Sequence, residues 1–161
     1  MRVLKKETRI IGLSAPRNHR QKIPIIGVVY RGSYWLDGIV TYTLDRADPT
    51  YLSGLATAIM TSKQYSQIHA VISSRPHILP QGFIDFALLA EEINIPVIVV
   101  SRARRHTPGK FMKVKSSRNS TSIWTHKQYQ EKVNDLFMIG CAGTMNIPEA
   151  VRVADLIATQ L

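Results

Sequence analysis

Short apolar runs rich in branched residues alternate along this chain with stretches in which apolar positions return every three or four residues. Arg9-Ile10-Ile11-Gly12-Leu13 predicts a buried first strand, and Ile23 to Tyr30, with Pro24 near its start, a second. Arg31-Gly32-Ser33 supplies turn residues before Tyr34 to Leu44, whose Tyr, Trp, Ile, Val and Thr suit a pleated surface, so the pair predicts an antiparallel hairpin. Asp48-Pro49 opens a helix with Leu52, Leu55, Ala56, Ile59 and Met60 along one stripe, because a carboxylate can accept from free backbone N–H groups while proline needs none. Ile68 to Ser73 is a further strand. After Pro76 and Pro80 comes a helical pattern at Phe83, Phe86, Ala87, Ala90 and Ile93, and Pro96 to Val100 is the clearest buried strand. Leu136 to Cys141 is expected to return as a strand. Ile147-Pro148-Glu149 opens a last helix with Ala150, Val153, Ala154, Ile157, Ala158 and Leu161 on one face.

Strand, helix, strand, helix, strand implies right-handed crossovers and locally parallel strands. With the hairpin in front, the expected fold class is α/β: a mixed sheet with an N-terminal antiparallel hairpin, parallel strands, and helices on both faces. A length of 161 residues with 45% hydrophobic content suits one domain over 1–161. The segment at about 102–124, with Thr107 to Ser122 polar, basic and rich in Ser and Thr, is read as a basic mobile loop or arm that orders on a partner.

Charge narrows the function classes. Lys and Arg outnumber Asp and Glu by 21 to 11, a formal net charge of +10, the electrostatic footprint of a nucleic-acid binder. From Ser101 to Gln130 there is no acid at all, whereas a surface built only for solubility mixes its signs. The single cysteine, Cys141, excludes an intramolecular disulfide and a cysteine-rich zinc cluster. No apolar run reaches the roughly 18 residues that span a bilayer, and the Met1-Arg2-Val3-Leu4-Lys5-Lys6 start does not look like a signal peptide. The expectation is a cytoplasmic protein with no membrane partner.

Five segments carry a resemblance. They are Gly27-Val28-Val29-Tyr30-Arg31-Gly32, Trp35-Leu36-Asp37-Gly38, Ser62-Lys63-Gln64-Tyr65-Ser66-Gln67-Ile68, Ile95 to Val100, and Ile147-Pro148-Glu149-Ala150-Val151-Arg152-Val153-Ala154. In this order across nearly the whole chain they resemble the archaeal endonuclease dU family, formerly a domain-of-unknown-function family, whose fold is endonuclease-V-like and ribonuclease-H-like. The region from Pro108 to Phe137 looks shortened. The resemblance implies metal-assisted phosphodiester hydrolysis, with carboxylates holding Mg²⁺. In the family the first strand ends in Gly-hydrophobic-Asp-Asp and a later one in hydrophobic-Asp/Asn-Gly. This chain reads Gly12-Leu13-Ser14-Ala15 and Val71-Ile72-Ser73-Ser74-Arg75, so it resembles a divergent member lacking most of the family's acids. Of the candidate acids Asp37 remains, either as a surviving catalytic group or as part of a turn or bulge at Asp37-Gly38, the latter being favoured.

Ligands of open α/β sheets collect outside the carboxyl ends of the strands. Three such ends lead into basic segments: Ser14, Arg17, His19, Arg20 and Lys22 after the first, Ser74, Arg75 and His77 after the middle one, and Arg102, Arg104 and Arg105 after Val97 to Val100. Lys110, Lys113, Lys115 and Arg118 extend the set along the arm. Arg bonds phosphate oxygens in pairs, so these residues are the candidate phosphate-binding set. Trp124 and Tyr129 are read as packing residues in preference to base-stacking ones, Trp35 as structural within the hairpin, and Asp85 and Glu91-Glu92 as a solvated helix face. The five histidines lack the spacing of a zinc site, and no metal site is assigned. The resulting expectation is a nucleic-acid-binding protein, for DNA or RNA, with nuclease chemistry reduced or lost and no cofactor. The alternatives are an active endonuclease using Mg²⁺ or Mn²⁺, and a non-catalytic scaffold for an acidic protein partner. A homodimer through the last helix or the hairpin edge is left open.

Overall fold

In the computed structural model of the protein, residues 5–17, 21–74, 84–101, 111–116, 122–142 and 147–161 are described, with backbone only at 101, 112, 113, 115 and 116. Seven strands among them form one sheet: β1 (Arg9–Ser14), β2 (Lys22–Arg31), β3 (Trp35–Asp45), β4 (Ile68–Ser73), β5 (Val97–Ser101), β6 (Phe111–Ser116) and β7 (Ser122–His126), in the order β3-β2-β1-β4-β5-β7-β6. β1 pairs parallel with β4 and β4 with β5, while every other pairing is antiparallel. This is the expected mixed α/β sheet, its hairpin β2–β3 included.

Among the described residues four α-helices cover it: α1 (Tyr51–Met60), α2 (Phe86–Ile93), α3 (Gln130–Gly140) and α4 (Glu149–Ala158). Successive strand residues face opposite sides, and this alternation sorts the core into two layers. Ile11, Leu13, Val71, Val97 and Val99 meet Leu52, Leu55 and Ile59 of α1 and Leu89 and Ile93 of α2. Ile10, Ala70, Ile72, Ile98 and Val100 meet Val133, Leu136 and Phe137 of α3 and Ala150 and Val151 of α4. Ile26 and Val28 of β2 complete that side against Ala154 and Ala158. Pro24 is tolerated because it lies beyond Ile26, the last β2 residue paired with β1, where the strand borders β3 alone.

Several local expectations need correcting. Leu136 to Gly140 belongs to helix α3 and not to a strand, with Cys141 its extended C-cap residue in an isolated bridge to Pro148; Val133, Leu136, Phe137 and Gly140 recur at helical spacing to bury one face, a period that the short apolar run concealed. Within the span read as a mobile arm, Phe111–Ser116 and Ser122–His126 form the antiparallel pair β6–β7, docked on β5 through Ile98↔Thr125 to Ser101↔Ser122. Buried Phe111, Ile123 and Trp124 anchor the pair, apolar residues that the surrounding Lys, Ser and Thr outnumber. The expected Phe83 contact and residues 102–110 and 117–121 lie outside the described residues.

The first helix begins at Tyr51 and not at Pro49. The Asp48 carboxylate accepts from the backbone N and the hydroxyl of Thr50, both bonds lying just ahead of the helix. Asp85, assigned to a solvated face, is the N-cap of α2 and accepts from the Leu88 N–H at 3.0 Å. Glu91 and Glu92 are exposed as expected.

Gly12 governs the seating of α4. A Cβ there would fall into the backbone of Ala150 and Val151, so only glycine lets the helix start lie directly on β1. Gly12→Ala should lower stability by about 1–3 kcal/mol through overpacking, read as a lower urea midpoint at unchanged m-value. Cys141 is buried and its thiol is pushed up to about 11 by burial, with the Glu149 carboxylate adding to it. It should therefore resist a disulfide-exchange reagent at pH 8 in the native protein and react only on unfolding.

Candidate nucleic-acid interface

The carboxyl ends of β1 and β4 lie side by side, with Leu13 opposite Ser73. Alternation places Ser14, like Ile10 and Gly12, on the face covered by α4, and Ser74, like Ala70 and Ile72, on the same face. One helical turn advances ~5.4 Å and two strand residues ~6.6 Å. A helix laid along β1 with Val151 over Gly12 therefore brings Asp155, one turn on, to the level of Ser14. The hydroxyls of Ser14 and Ser74 both donate to Asp155, to Oδ1 and to Oδ2, the second at 3.0 Å.

Asp155 was not singled out in the sequence. It sits inside an ordinary amphipathic helix pattern, and its link to Ser14 spans 141 positions. Only the glycine opposite the helix start hinted at a close helix–strand contact. Ser73 takes the other course: it is fully buried, and alternation sets it on the face of α1 and α2, away from Asp155.

On the same rim, Arg17 is exposed three residues past Ser14, and exposed Lys22 begins β2, which runs antiparallel to β1. Lys22 faces Asp45 across the β2–β3 ladder. The Asp45 carboxyl lies below its ordinary range, first because it accepts from the Ala47 N–H and then from Gln21, with Lys22 adding a smaller attraction. The described part of this rim is thus mixed in sign, with Asp45, Asp48 and Asp155 beside Arg17 and Lys22. His19, Arg20, Arg75, His77, Arg102, Arg104, Arg105, Lys110 and Arg118 lie outside the described residues. Lys113 and Lys115 belong to β6, their side chains likewise outside.

Asp37 is elsewhere. It is the extra residue of a β-bulge, since Val29 pairs with Gly38 and Tyr30 with Leu36. Arg9 Nε donates to Asp37 Oδ2 at 2.6 Å and Arg31 to Oδ1 at 2.9–3.0 Å. The Arg9 hydrogen bond holds its carboxyl below the usual carboxylate range against the opposing effect of burial, and Arg31 lowers it further. Arg9 starts β1 and Ser14 ends it, so the two sites stand ~16 Å apart on opposite rims. The candidate catalytic Asp37 is thus a partly buried structural ion pair, and the geometry does not join it to the strand-end serines. Trp124, 8% exposed, is the core residue expected.

A Mg²⁺ ion bound by protein favours one or two free carboxylates in octahedral geometry. At these strand ends the donor set is one carboxylate, each of whose oxygens already accepts a serine hydroxyl. Among the described residues no three His, Cys, Asp or Glu side chains come together in a metal-holding group. The residues described do not fit the family-type divalent metal.

A UPF0215 protein of Methanosarcina acetivorans is 30% identical to this chain over 183 residues, covering 97% of the chain and 91% of that protein. One from Methanosarcina barkeri is 31% identical over 182 residues with the same coverage. The chain belongs to the UPF0215 family. A more distant UPF0215 relative, from Pyrococcus horikoshii, is 25% identical over 186 residues, covering 99% of the chain and 94% of that protein. No family model matches the chain. Among solved structures it is similar to a protein of unknown function from Archaeoglobus fulgidus, with a TM-score of 0.75, 21% identity, and 94% and 96% of the two chains covered. Human ENDOV aligns with a TM-score of 0.65 at 14% identity, over 95% of this chain and 83% of that one. Ciona intestinalis endonuclease V, solved in complex with a 24mer DNA containing an inosine followed by a ribo-adenosine, aligns with a TM-score of 0.62 at 12% identity, over 95% and 85%. This UPF0215 chain therefore has an endonuclease-V-like fold. No helix among its described residues is long and apolar enough to cross a membrane.

Replacing Asp37 by Ala strands two guanidinium groups and should cost about 1–3 kcal/mol near pH 7. The folded carboxyl lies below its ordinary 3.8, so the ionised form stabilises the fold fully above that value. That contribution is lost as pH falls from 3.8 through the lowered folded value. The stability gap between wild type and Asp37→Ala should accordingly be constant above pH 5 and narrow in acid, as followed by urea unfolding at a series of pH values.

Proposed function

We propose that this UPF0215 protein binds nucleic acid through the rim formed by the carboxyl ends of β1, β4 and β5, contacting the phosphate backbone with the basic segments that leave those strands. Nuclease chemistry is reduced or lost. The observation that carries this reading is the Ser14–Asp155–Ser74 arrangement. Where the resemblance to the endonuclease dU proteins implies clustered acids for a metal, two hydroxyls grip a single carboxylate. The +10 charge of the chain supports a polyanionic partner, and so does the fold, which is shared with an endonuclease V solved on DNA. Arg17, Arg20 and Lys22 after β1, Arg75 after β4, and Arg102, Arg104 and Arg105 after β5 are the proposed phosphate ligands, with Lys110, Lys113, Lys115 and Arg118 following.

The second reading, an active endonuclease, has one observation in its favour: Asp155 does bring a carboxylate to the strand ends. Cleavage would require it to release both hydroxyls and recruit further oxygen ligands to a divalent ion.

Labelled single- and double-stranded DNA and RNA, retarded by the protein in EDTA and in Mg²⁺ across a salt series, test both readings. Binding is expected without metal, with log affinity falling about 0.7–0.9 per phosphate contacted for each unit of log salt, and with no cleavage. A flat salt response, or unchanged binding by the Arg17→Ala, Arg75→Ala, Arg102→Ala, Arg105→Ala combination, would overturn the binding reading. Mg²⁺-dependent cleavage that survives in Asp37→Ala and disappears in Asp155→Ala would establish the enzyme.

A further inference from the structure

The rim opposite Asp155 carries a feature that the strand-end reading leaves unused. Trp35, which its place in the hairpin marks as structural, is 65% exposed, and Tyr34 beside it is 63% exposed. Leu36 and Ile39 are more than half exposed as well, and all four lie at or near the start of β3, the edge strand of the sheet. An indole left in water at the tip of a hairpin contributes nothing to the core. Contiguous apolar exposure of this kind marks a contact surface.

Its surroundings are cationic. The turn folds back on the segment before β1, with the Gly32 N–H donating to the Thr8 carbonyl at 2.8 Å. Gly32, at φ 57°, packs so closely on the Lys6 carbonyl that no side chain fits there. That packing brings exposed Lys5 and Lys6 to the hairpin turn, two residues before the aromatic pair. On the other flank, Gln64 Nε2 donates to the Asp37 carbonyl at 3.3 Å, and exposed Lys63 adjoins it. Arg9 and Arg31 neutralise Asp37, and Arg152, which feels Tyr30, pairs with Glu149, so exposed Lys5, Lys6 and Lys63 supply the positive charge near the hairpin tip.

We infer that Tyr34 and Trp35, with exposed Lys5, Lys6 and Lys63 on their flanks, form a second nucleic-acid contact that stacks on unpaired bases. Flat aromatic faces receive bases of any sequence while the surrounding cations follow the phosphates, the combination that single strands require. A second copy of the chain fits this rim less well, because it would bring the same excess of positive charge against itself. The inference rests on the nucleic-acid reading above but names a different surface and a single-stranded ligand.

Trp35 and Trp124 are the two tryptophans, and Trp124 is buried, so emission from the exposed ring reports on this surface. The experiment titrates the full chain with an oligothymidylate while following tryptophan fluorescence, and in parallel measures retardation of that strand and of a duplex. Wild type should be quenched and Trp35→Ala should not. Trp35→Ala should bind the single strand about tenfold or more weaker and the duplex unchanged, while Trp35→Phe should retain most of the single-strand affinity. Circular dichroism confirms that the variants fold.

Absence of quenching together with equal single-strand affinity of wild type and Trp35→Ala would overturn the stacking site, while steep salt-dependent duplex binding would leave the strand-end reading intact. No binding of any nucleic acid by wild type would overturn both. A dimer in sedimentation that Trp35→Ala dissolves, without quenching by the strand, would assign the surface to a second copy instead.

Discussion

The bare backbone contact between Gly12 and the first turn of α4 is the constraint on which the rest of the arrangement depends. With no Cβ between them, the helix lies along β1 closely enough for its side chains to meet the strand end two residues further on. Ile10 below and Ala154 and Ala158 beside it fill the remaining space with small or well-fitted groups. Asp155 is thereby delivered to Ser14 and Ser74, and the same burial that seats the helix makes those hydroxyl–carboxylate bonds costly to break. The site at the strand ends is a product of helix packing as much as of strand-end chemistry.

The sheet separates two rims with different physics. At one, β1 and β4 end in neutral hydroxyls around a single carboxylate, with cations and acids interspersed beyond it. At the other, Asp37 occupies a bulge between two arginines, which anchors the hairpin and the start of β1 to each other. A carboxylate accepting from two guanidinium groups is stabilised in its charged form and is spoken for. That is a structural use of an acid which the sequence alone left open as a catalytic one. The bulge alternative weighed for Asp37-Gly38 matches the register that the strands adopt.

Much of the architecture was legible in the chain. The strands at 10–14, 70–73 and 97–100 are runs rich in branched apolar residues and buried on both faces, the hairpin is announced by its turn, and α4 by a clean apolar stripe. Misreadings occurred where the local signal is weak or ambiguous. Leu136 to Cys141 is apolar enough for either a strand or a helix, and only the longer register from Val133 decides. β6 and β7 are short and written largely in Lys, Ser and Thr, so their few anchors, Phe111, Ile123 and Trp124, become visible only once β5 offers an edge for them.

Local order was thus determined by the sequence itself: alternation and helical periodicity set most of the elements, the basic excess set the net positive charge, and the serines at positions 14, 73 and 74 excluded acids there. The tertiary structure decided which distant groups meet. It alone joined Asp155 to residues 141 and 81 positions away, locked Asp37 between Arg9 and Arg31, and left Trp35 in water. Such pairings depend on the seating of one element on another, fixed by packing between segments far apart in the chain, and no pattern within a single segment records them.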